Sequence, residues 1–327
     1  MTKIVHWSLQ NSSGMHRVAE SIAKAEVALG MDSVNVDCSV KSDEWEAALD
    51  ADVHVVHTHF PNELRKKVSK KLKIVWVAHG TPDHVFQSSV EAGLGAPYGH
   101  ADPFMLMQHW LRTADARVTF WPRHQWVYQR MVDKTTIVDC IPLGVDKAFW
   151  SGGASRGKYE GTPSVFTAEN PHYIKWAYDL LLAWPEVFES LEGAKLHCVY
   201  LPRDMHRWFF PLVNANGAAF GSHLSPITFA HDELRNVFKS IDFFCGLVRN
   251  GDFNQLCLQA NAAGAKSISY AGNEHSDYWV PEGDQRVLSR ELTRILKGEV
   301  EPRVKKPVAD ISETAADMKL IYERITA

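Results

Sequence analysis

The chain has 327 residues, 45% hydrophobic and 23% charged, which is the composition of a globular protein of about two domains. A formal net charge of −4 and a sequence pI near 6.5 argue against broad, sequence-independent nucleic-acid binding. The cysteines Cys38, Cys140, Cys198, Cys245 and Cys257 lack CxxC spacing. No apolar run reaches the roughly 18 residues of a membrane span, and Met1–Gln10 has no signal-peptide stretch, so the expectation is a cytoplasmic protein with reduced thiols.

Strand and helix patterns alternate along the first half. KIVHWSL at 3–9 is a strand, Gln10 to Gly14 a short loop, and Val18, Ile22, Ala25 and Leu29 mark a helix that stops at Gly30. Strands are predicted at 33–38, 52–57, 73–78, 116–120 and 136–141, with a helix at 42–49. SGGASRGKYEGT at 151–162 shifts to Gly, Ser and charge and reads as an interdomain linker. A second series follows, with strands at 163–167, 195–200, 227–230, 241–245 and 266–270 and helices at 175–189, 231–240 and 312–325. This βα rhythm predicts an α/β fold of two Rossmann-like, doubly wound domains facing a cleft. The predicted divisions are 1–150, the linker, 163–308, and a C-terminal helix at 309–327 that crosses back to the first domain.

Candidate chemistry gathers at the ends of strands. The loop Ser12-Ser13-Gly14-Met15-His16-Arg17 opens the first helix, and Gly14 would let the backbone approach a ligand. In His54-x-x-His57-x-His59, alternation puts His57 and His59 on one face and His54 on the other, and cleft-lining or structural roles outweigh a metal site. His79 follows a strand and precedes Gly80-Thr81-Pro82, where binding loops form. Lys175 opens a helix and could hold a diphosphate as a point charge. Arg65, Lys66, Lys67, Lys70, Lys71 and Lys73 form a basic run, most simply a solvated helix face. NGDFNQLCLQANAAG at 250–264 reads as a loop and a helix ended by glycine, with Asn250, Gly251 and Asp252 as N-cap chemistry. Phe253, Leu256, Cys257, Ala260 and Ala263 fall on one face, while Asn254, Gln255, Gln259 and Asn261 lie off it. The exposed N-terminus of such a helix is a ready anion site.

In this order the segments resemble the GT-B glycosyltransferases, specifically glycosyltransferase family 4 (glycosyl transferases group 1). SSGMHRVAESIAKAEVALG is similar to that family's GGxxR-type loop and first helix, DVHVVHTH to its DVVHxH strand, and VAHGTP to the strand carrying its sugar-contacting histidine. IPLGVDKAFW is close to IPNGVDxxxF, IKWAYDLLLAWPEV resembles the KGxDxLLxA helix, and the stretch ending in NAAGAKSISY resembles the region of the E-x7-E motif.

The resemblance implies a retaining, metal-independent sugar transfer from a UDP-, GDP- or ADP-sugar, with no further cofactor. The acceptor would be a glycan, a lipid or a modified DNA base, with Trp121, Trp126 and Trp208 as possible stacking residues for a base. It implies that Gly14 lies near the donor phosphates or acceptor, that His79 faces the donor sugar, and that Lys175 neutralises the diphosphate. Gly251 stands where the family has its first glutamate, with Asp252 and Phe253 beside it, and Gln259 stands where it has the second. The family's arginine falls near Glu169 and Asn170, and Arg249 is its candidate replacement. These departures leave open a catalytically degraded nucleotide-sugar binding protein. A dehydrogenase is disfavoured, because no GxGxxG follows the first strand of either half.

Overall fold

The computed structural model describes residues 2–9, 13–38, 45, 48–57, 72–80, 103–153, 155, 157–168, 177–199, 224–227, 231–248 and 254–327. The chain divides into two compact units, one of Met1–Asp146 with Ala309–Ala327 and the other of Lys147–Val308.

In the first unit, β1 (Lys3–Ser8), β2 (Asp32–Asp37), β3 (Val53–Val56), β4 (Lys73–Ala78), β5 (Ala116–Thr119) and β6 (Val138–Cys140) form one sheet in the order β2-β1-β3-β4-β5-β6. Every pairing is parallel. The helices are α1 (Ser13–Ala28), α2 (Pro103–Thr113) and α3 (Pro122–Met131). One face of the sheet carries an apolar core that includes Val5, Trp7, Val56 and Trp76, against Trp110, Leu111 and Tyr128. α1 begins at Ser13, so Gly14 lies in its first turn rather than in the preceding loop.

The second unit opens with α4 (Lys147–Ser151). Its strands β7 (Ser164–Thr167), β8 (Lys195–Val199), β9 (Leu224–Ile227), β10 (Phe243–Gly246), β11 (Lys266–Tyr270) and β12 (Tyr278–Val280) are ordered β12-β11-β10-β7-β8-β9, again all parallel. β9 ends at Ile227, where the sequence predicts a start. Pro226 cannot donate to a ladder, which argues against a strand from sequence alone, but β9 is an edge strand and tolerates it. α5 (Ala177–Ser190) and α8 (Gln285–Leu296) pack a core of Leu180, Trp184, Leu288 and Leu292 on one face. On the other, Phe166, Phe238 and Phe244 meet edge to face or tilted, beside α4, α6 (His231–Phe238) and α7 (Gln255–Ala263).

The chain then returns to the first unit as α9 (Ile311–Thr326), which packs on α1. IPLGVD receives it. Val145 N–H donates to Ala309 O and Ile311 N–H to Val145 O, at 3.1 and 3.0 Å. Gly144 N–H donates to Thr314 Oγ1 at 2.8 Å, and that hydroxyl donates to Pro142 O at 2.9 Å. Asp310 and Glu313 complete a reciprocal cap at the start of α9. Among the described residues, no helix is long and apolar enough to cross a membrane.

Candidate functional site

Each sheet reverses its strand order once, and ligands of doubly wound sheets bind outside the carboxyl ends of the strands at that reversal. In the first unit the reversal lies between β1 and β3, in the second between β7 and β10.

At the first reversal, alternation sends His54 and His57 to opposite faces. His54 stacks on Trp7, with ring centroids 6.0 Å apart, and accepts from Trp7 Nε1–H at 3.0 Å. Its own Nε2–H then donates to Ala51 O at 3.1 Å, so His54 is a satisfied core histidine. Burial brings its pKa down to about 4, against the small opposing effects of that carbonyl and Asp52.

His57 turns to the other face and enters a chain of buried polar groups. His6 Nδ1 lies 2.9 Å from His57 Nε2, and His57 Nδ1 lies 2.8 Å from His79 Nε2. At the inner end, His6 Nε2 lies 2.8 Å from Glu26 Oε2 on α1. The same carboxylate accepts from Ser33 Oγ at 2.5 Å and from Tyr322 Oη of α9 at 2.7 Å. Burial alone would raise the Glu26 pKa, but His6 beside it and the Ser33 and Tyr322 hydroxyls outweigh that and hold it below the ordinary carboxyl value. Burial drives the His57 pKa well down, and a positive charge on His79, His6 or His16 would push it in the same direction. Burial and the neighbouring His124 bring His79 down to about 3. His57 and His79 are therefore neutral imidazoles near pH 7. Among the described residues no cluster of His, Cys, Asp and Glu has the arrangement to hold a metal ion.

His79 is partly exposed at the end of β4, with Phe120 edge-on to its ring at 5.6 Å. Gly14 is exposed, and a Cβ added there would meet nothing within 4 Å, which leaves room for a ligand. Next to it His16 Nδ1 is 2.8 Å from Ser8 Oγ at the end of β1, and Ser8 donates to Asn35 at 2.9 Å. Trp121 is buried, and Trp126 is exposed beneath Arg130, whose guanidinium carbon is 3.6 Å from the ring centroid.

At the second reversal β10 ends at Gly246 and α7 starts at Gln255. The N-cap is Asn254, not the Asn250–Asp252 group. Its side chain accepts from Leu256 N–H at 2.9 Å. Its carbonyl takes Cys257 N–H at 3.1 Å, so two first-turn donors are already engaged. A Cβ at Gly246 would lie 2.3 Å from Asn254 Nδ2, so only glycine leaves the cap its seat. At the other end Gly264 is left-handed at φ 97° and closes the helix, and Ala265 N–H donates to Ala260 O at 3.0 Å.

α7 is buried more widely than a single apolar stripe predicts. Cys257, Leu258, Gln259, Ala260 and Ala263 are all buried, because β10 and β11 lie on one side and α4 and α6 on others. Gln259, read as lying off the packed face, is only 7% exposed, and its Oε1 has no hydrogen-bond partner among the described residues. Asn261 is structural instead. It donates to His275 O and accepts from Ser267 and Lys305. Helical side chains lean toward the N-terminus, so Gln259 leans toward the carboxyl edge of the sheet. Gln255 is partly exposed in the first turn. Asn170, Lys175, Arg249, Gly251, Asp252 and Phe253 lie outside the described residues, as do His59, Trp208 and the basic run before Lys73.

Solved structures decide the fold. Sucrose-phosphate synthase from Thermosynechococcus elongatus superposes with a TM-score of 0.68 at 12% identity, over 100% of this chain and 99% of that one. A glycosyltransferase from Rickettsia africae gives 0.66 at 11% identity, over 99% and 98%. The chain has the GT-B fold. Anabaena HepE, solved in complex with UDP-glucose, also gives 0.66, at 12% identity over 100% and 98%. No protein-family model matches the chain, and no curated protein matches it in sequence.

Glu26, His6 and Tyr322 are the residues sequence reading misses. Glu26 interrupts the stripe of Val18, Ile22, Ala25 and Leu29 only as a helical neighbour, and its partners come from β1, β2 and α9. The available signal is a glutamate beside an apolar helix face with a histidine in the preceding strand.

Proposed function

We propose that the chain is a glycosyltransferase that moves a sugar from a nucleoside-diphosphate sugar to a hydroxyl-bearing acceptor. One observation carries this reading beyond the fold, the buried Gln259 Oε1, without a hydrogen-bond partner among the described residues, on the helix that begins at the reversal of the second sheet. An orphaned buried acceptor is costly unless a ligand supplies the donor. The amide can accept from one ribose hydroxyl and donate to another, which suits the position where the resembling family carries a glutamate. The GT-B neighbour HepE was solved with UDP-glucose, which supports a sugar nucleotide as the donor class.

In this reading Lys175 and Arg249 face the leaving diphosphate, and the dipole of α7 adds to them. Stabilising the charge that grows on that group lowers the barrier. Asn254, Gln255 and Gln259 line the nucleotide side, Asn170, Gly251, Asp252 and Phe253 adjoin the donor, and His79 and Gly14 face the sugar or acceptor. Transfer retains anomeric configuration and uses no metal. Burial of Trp121 counts against its stacking on a DNA base, and so favours a glycan or lipid acceptor.

A second reading, a nucleotide-sugar binding protein without turnover, is favoured by Gly251, which offers no side chain to a sugar hydroxyl. One experiment separates the two. The chain is incubated with labelled UDP-, GDP- and ADP-sugars, and transfer and slow donor hydrolysis are followed. Turnover of one donor, cut roughly 100-fold by Lys175→Ala, supports the transferase. Binding without turnover supports the second reading, and neither binding nor turnover overturns both. Unchanged kinetics in Lys175→Ala overturn the role of that lysine.

A further inference from the structure

Glu26, His6 and His57 are buried, yet they run in an unbroken line to His79, which is partly exposed at the end of β4. Tyr322 Oη, Glu26, His6, His57 and His79 are joined by contacts of 2.7, 2.8, 2.9 and 2.8 Å. They come from α9, α1, β1 and the positions just after β3 and β4. Glu26, His6 and His57 are at most 3% exposed.

Counting donors sets the direction of this line for a His6 that carries one proton. An ionised carboxylate only accepts, so Glu26 requires a proton on His6 Nε2 as well as those on Ser33 and Tyr322. A neutral His6 then has a bare Nδ1, which requires the proton of His57 to be on Nε2. His57 Nδ1 is bare in turn and requires the proton of His79 on Nε2. The line ends with the lone pair of His79 Nδ1, which has no hydrogen-bond partner among the described residues. The lowered Glu26 pKa agrees with an accepting carboxylate at the inner end of the line.

We propose that Glu26, His6 and His57 are positioning residues that lock His79 in its Nε2–H tautomer, so that it presents Nδ1 as an acceptor to a substrate hydroxyl. The role of His79 toward substrate rests on the glycosyltransferase reading, whereas the tautomer does not. A carboxylate that selects an imidazole tautomer through a hydrogen bond is a known way to prepare a functional histidine. Here two further imidazoles carry the selection across the sheet. Reversing the line would leave acceptors on both sides of the Glu26–His6 contact unless Glu26 took up a proton or His6 gained a second one. The tautomer of His79 is thus coupled to the charge state of a residue with which it shares no contact.

The test uses the full chain labelled with 15N in histidine, and long-range imidazole spectra at pH 7. His6, His57 and His79 are assigned by loss of signals in single variants. The expected result is the neutral Nε2–H pattern for His57 and His79 in the native protein. An Nδ1–H or doubly protonated His79 overturns the proposal, whatever the enzyme turns out to do. His57→Phe, which cuts the line while keeping a ring in place, is expected to release His79 into a mixture of tautomers. In the transfer assay it is expected to lower kcat roughly 10–100-fold with little change in donor KM. A native His79 tautomer together with unchanged kcat in a folded His57→Phe protein also overturns the proposal. Absence of turnover in the native chain, with the expected tautomers present, sinks the glycosyltransferase reading and leaves the tautomer lock standing.

Discussion

Gly144 shows how a single residue serves as a joint. A Cβ there would lie 2.2 Å from Asp310 O, so the chain entering α9 leaves no room for alanine. Gly144→Ala is expected to cost about 1–3 kcal/mol as an overpacked site, read as a lower urea midpoint, and unaltered stability would show that the junction can move aside. Gln259 is one of several residues with a buried polar atom that lacks a hydrogen-bond partner among the described residues. Gln259→Leu removes the orphaned carbonyl at similar volume. It is expected to weaken donor binding about tenfold, near 1.4 kcal/mol for one lost hydrogen bond, with unchanged thermal stability. A large loss of stability would instead mark Gln259 as structural. At this scale the opposite faces of His54 and His57 are legible from alternation alone. The burial of Gln259 is not, because a single-stripe reading of α7 does not know that α4 and α6 cover its other sides.

At the scale of elements, strands are the more legible class. β1, β4, β5, β7 and β10 are short, largely apolar runs that fall where the sequence predicts them, since strands of parallel sheets are buried on both faces. α3 is not legible, because only His124 and Tyr128 of its ten residues are buried and its apolar period is faint. α8 carries the period openly in Leu288, Leu292 and Ile295 with Asp284 as its cap. The start of α7 shifts to Asn254 because Gly246 makes a seat for its carboxamide, a contact from outside the helix. Asn254→Ala is expected to cost about 1 kcal/mol as a lost N-cap and to leave Leu256 N–H unpaired. The measurement is chemical denaturation, and no change would mean that another group caps the helix.

For the whole molecule, the buried polar groups set a direction of pH dependence. The unfolded chain titrates its histidines near 6.5, whereas folded His54 and His79 do so at about 4 and about 3. Below pH 6.5 the unfolded state therefore binds more protons, and stability falls as pH drops toward those values. Fully buried His54 alone contributes a loss of about 2 kcal/mol between pH 6.5 and pH 5. Glu26, held below the ordinary carboxyl value, acts in the same sense at lower pH, because its contribution is lost as pH falls through its folded value. Urea midpoints at pH 7.5 and pH 5 check this, and a flat or rising profile toward acid would contradict it.

The two-sheet architecture was legible in the βα rhythm, and the solved neighbours share it at 11–12% identity. The reason is that the fold depends on where apolar runs and turns fall, which survives replacement of most side chains. Under the proposed function, choice of a donor would depend on a few polar groups at strand ends, and it is there that Gly251 and Gln259 depart from the resembling family. Calorimetric titration of the full chain with UDP-, GDP- and ADP-sugars addresses that site most directly. The expected result is saturable binding of at least one at millimolar concentration or tighter, weakened in Gln259→Leu. Heats indistinguishable from dilution for all three would contradict a nucleotide-sugar site.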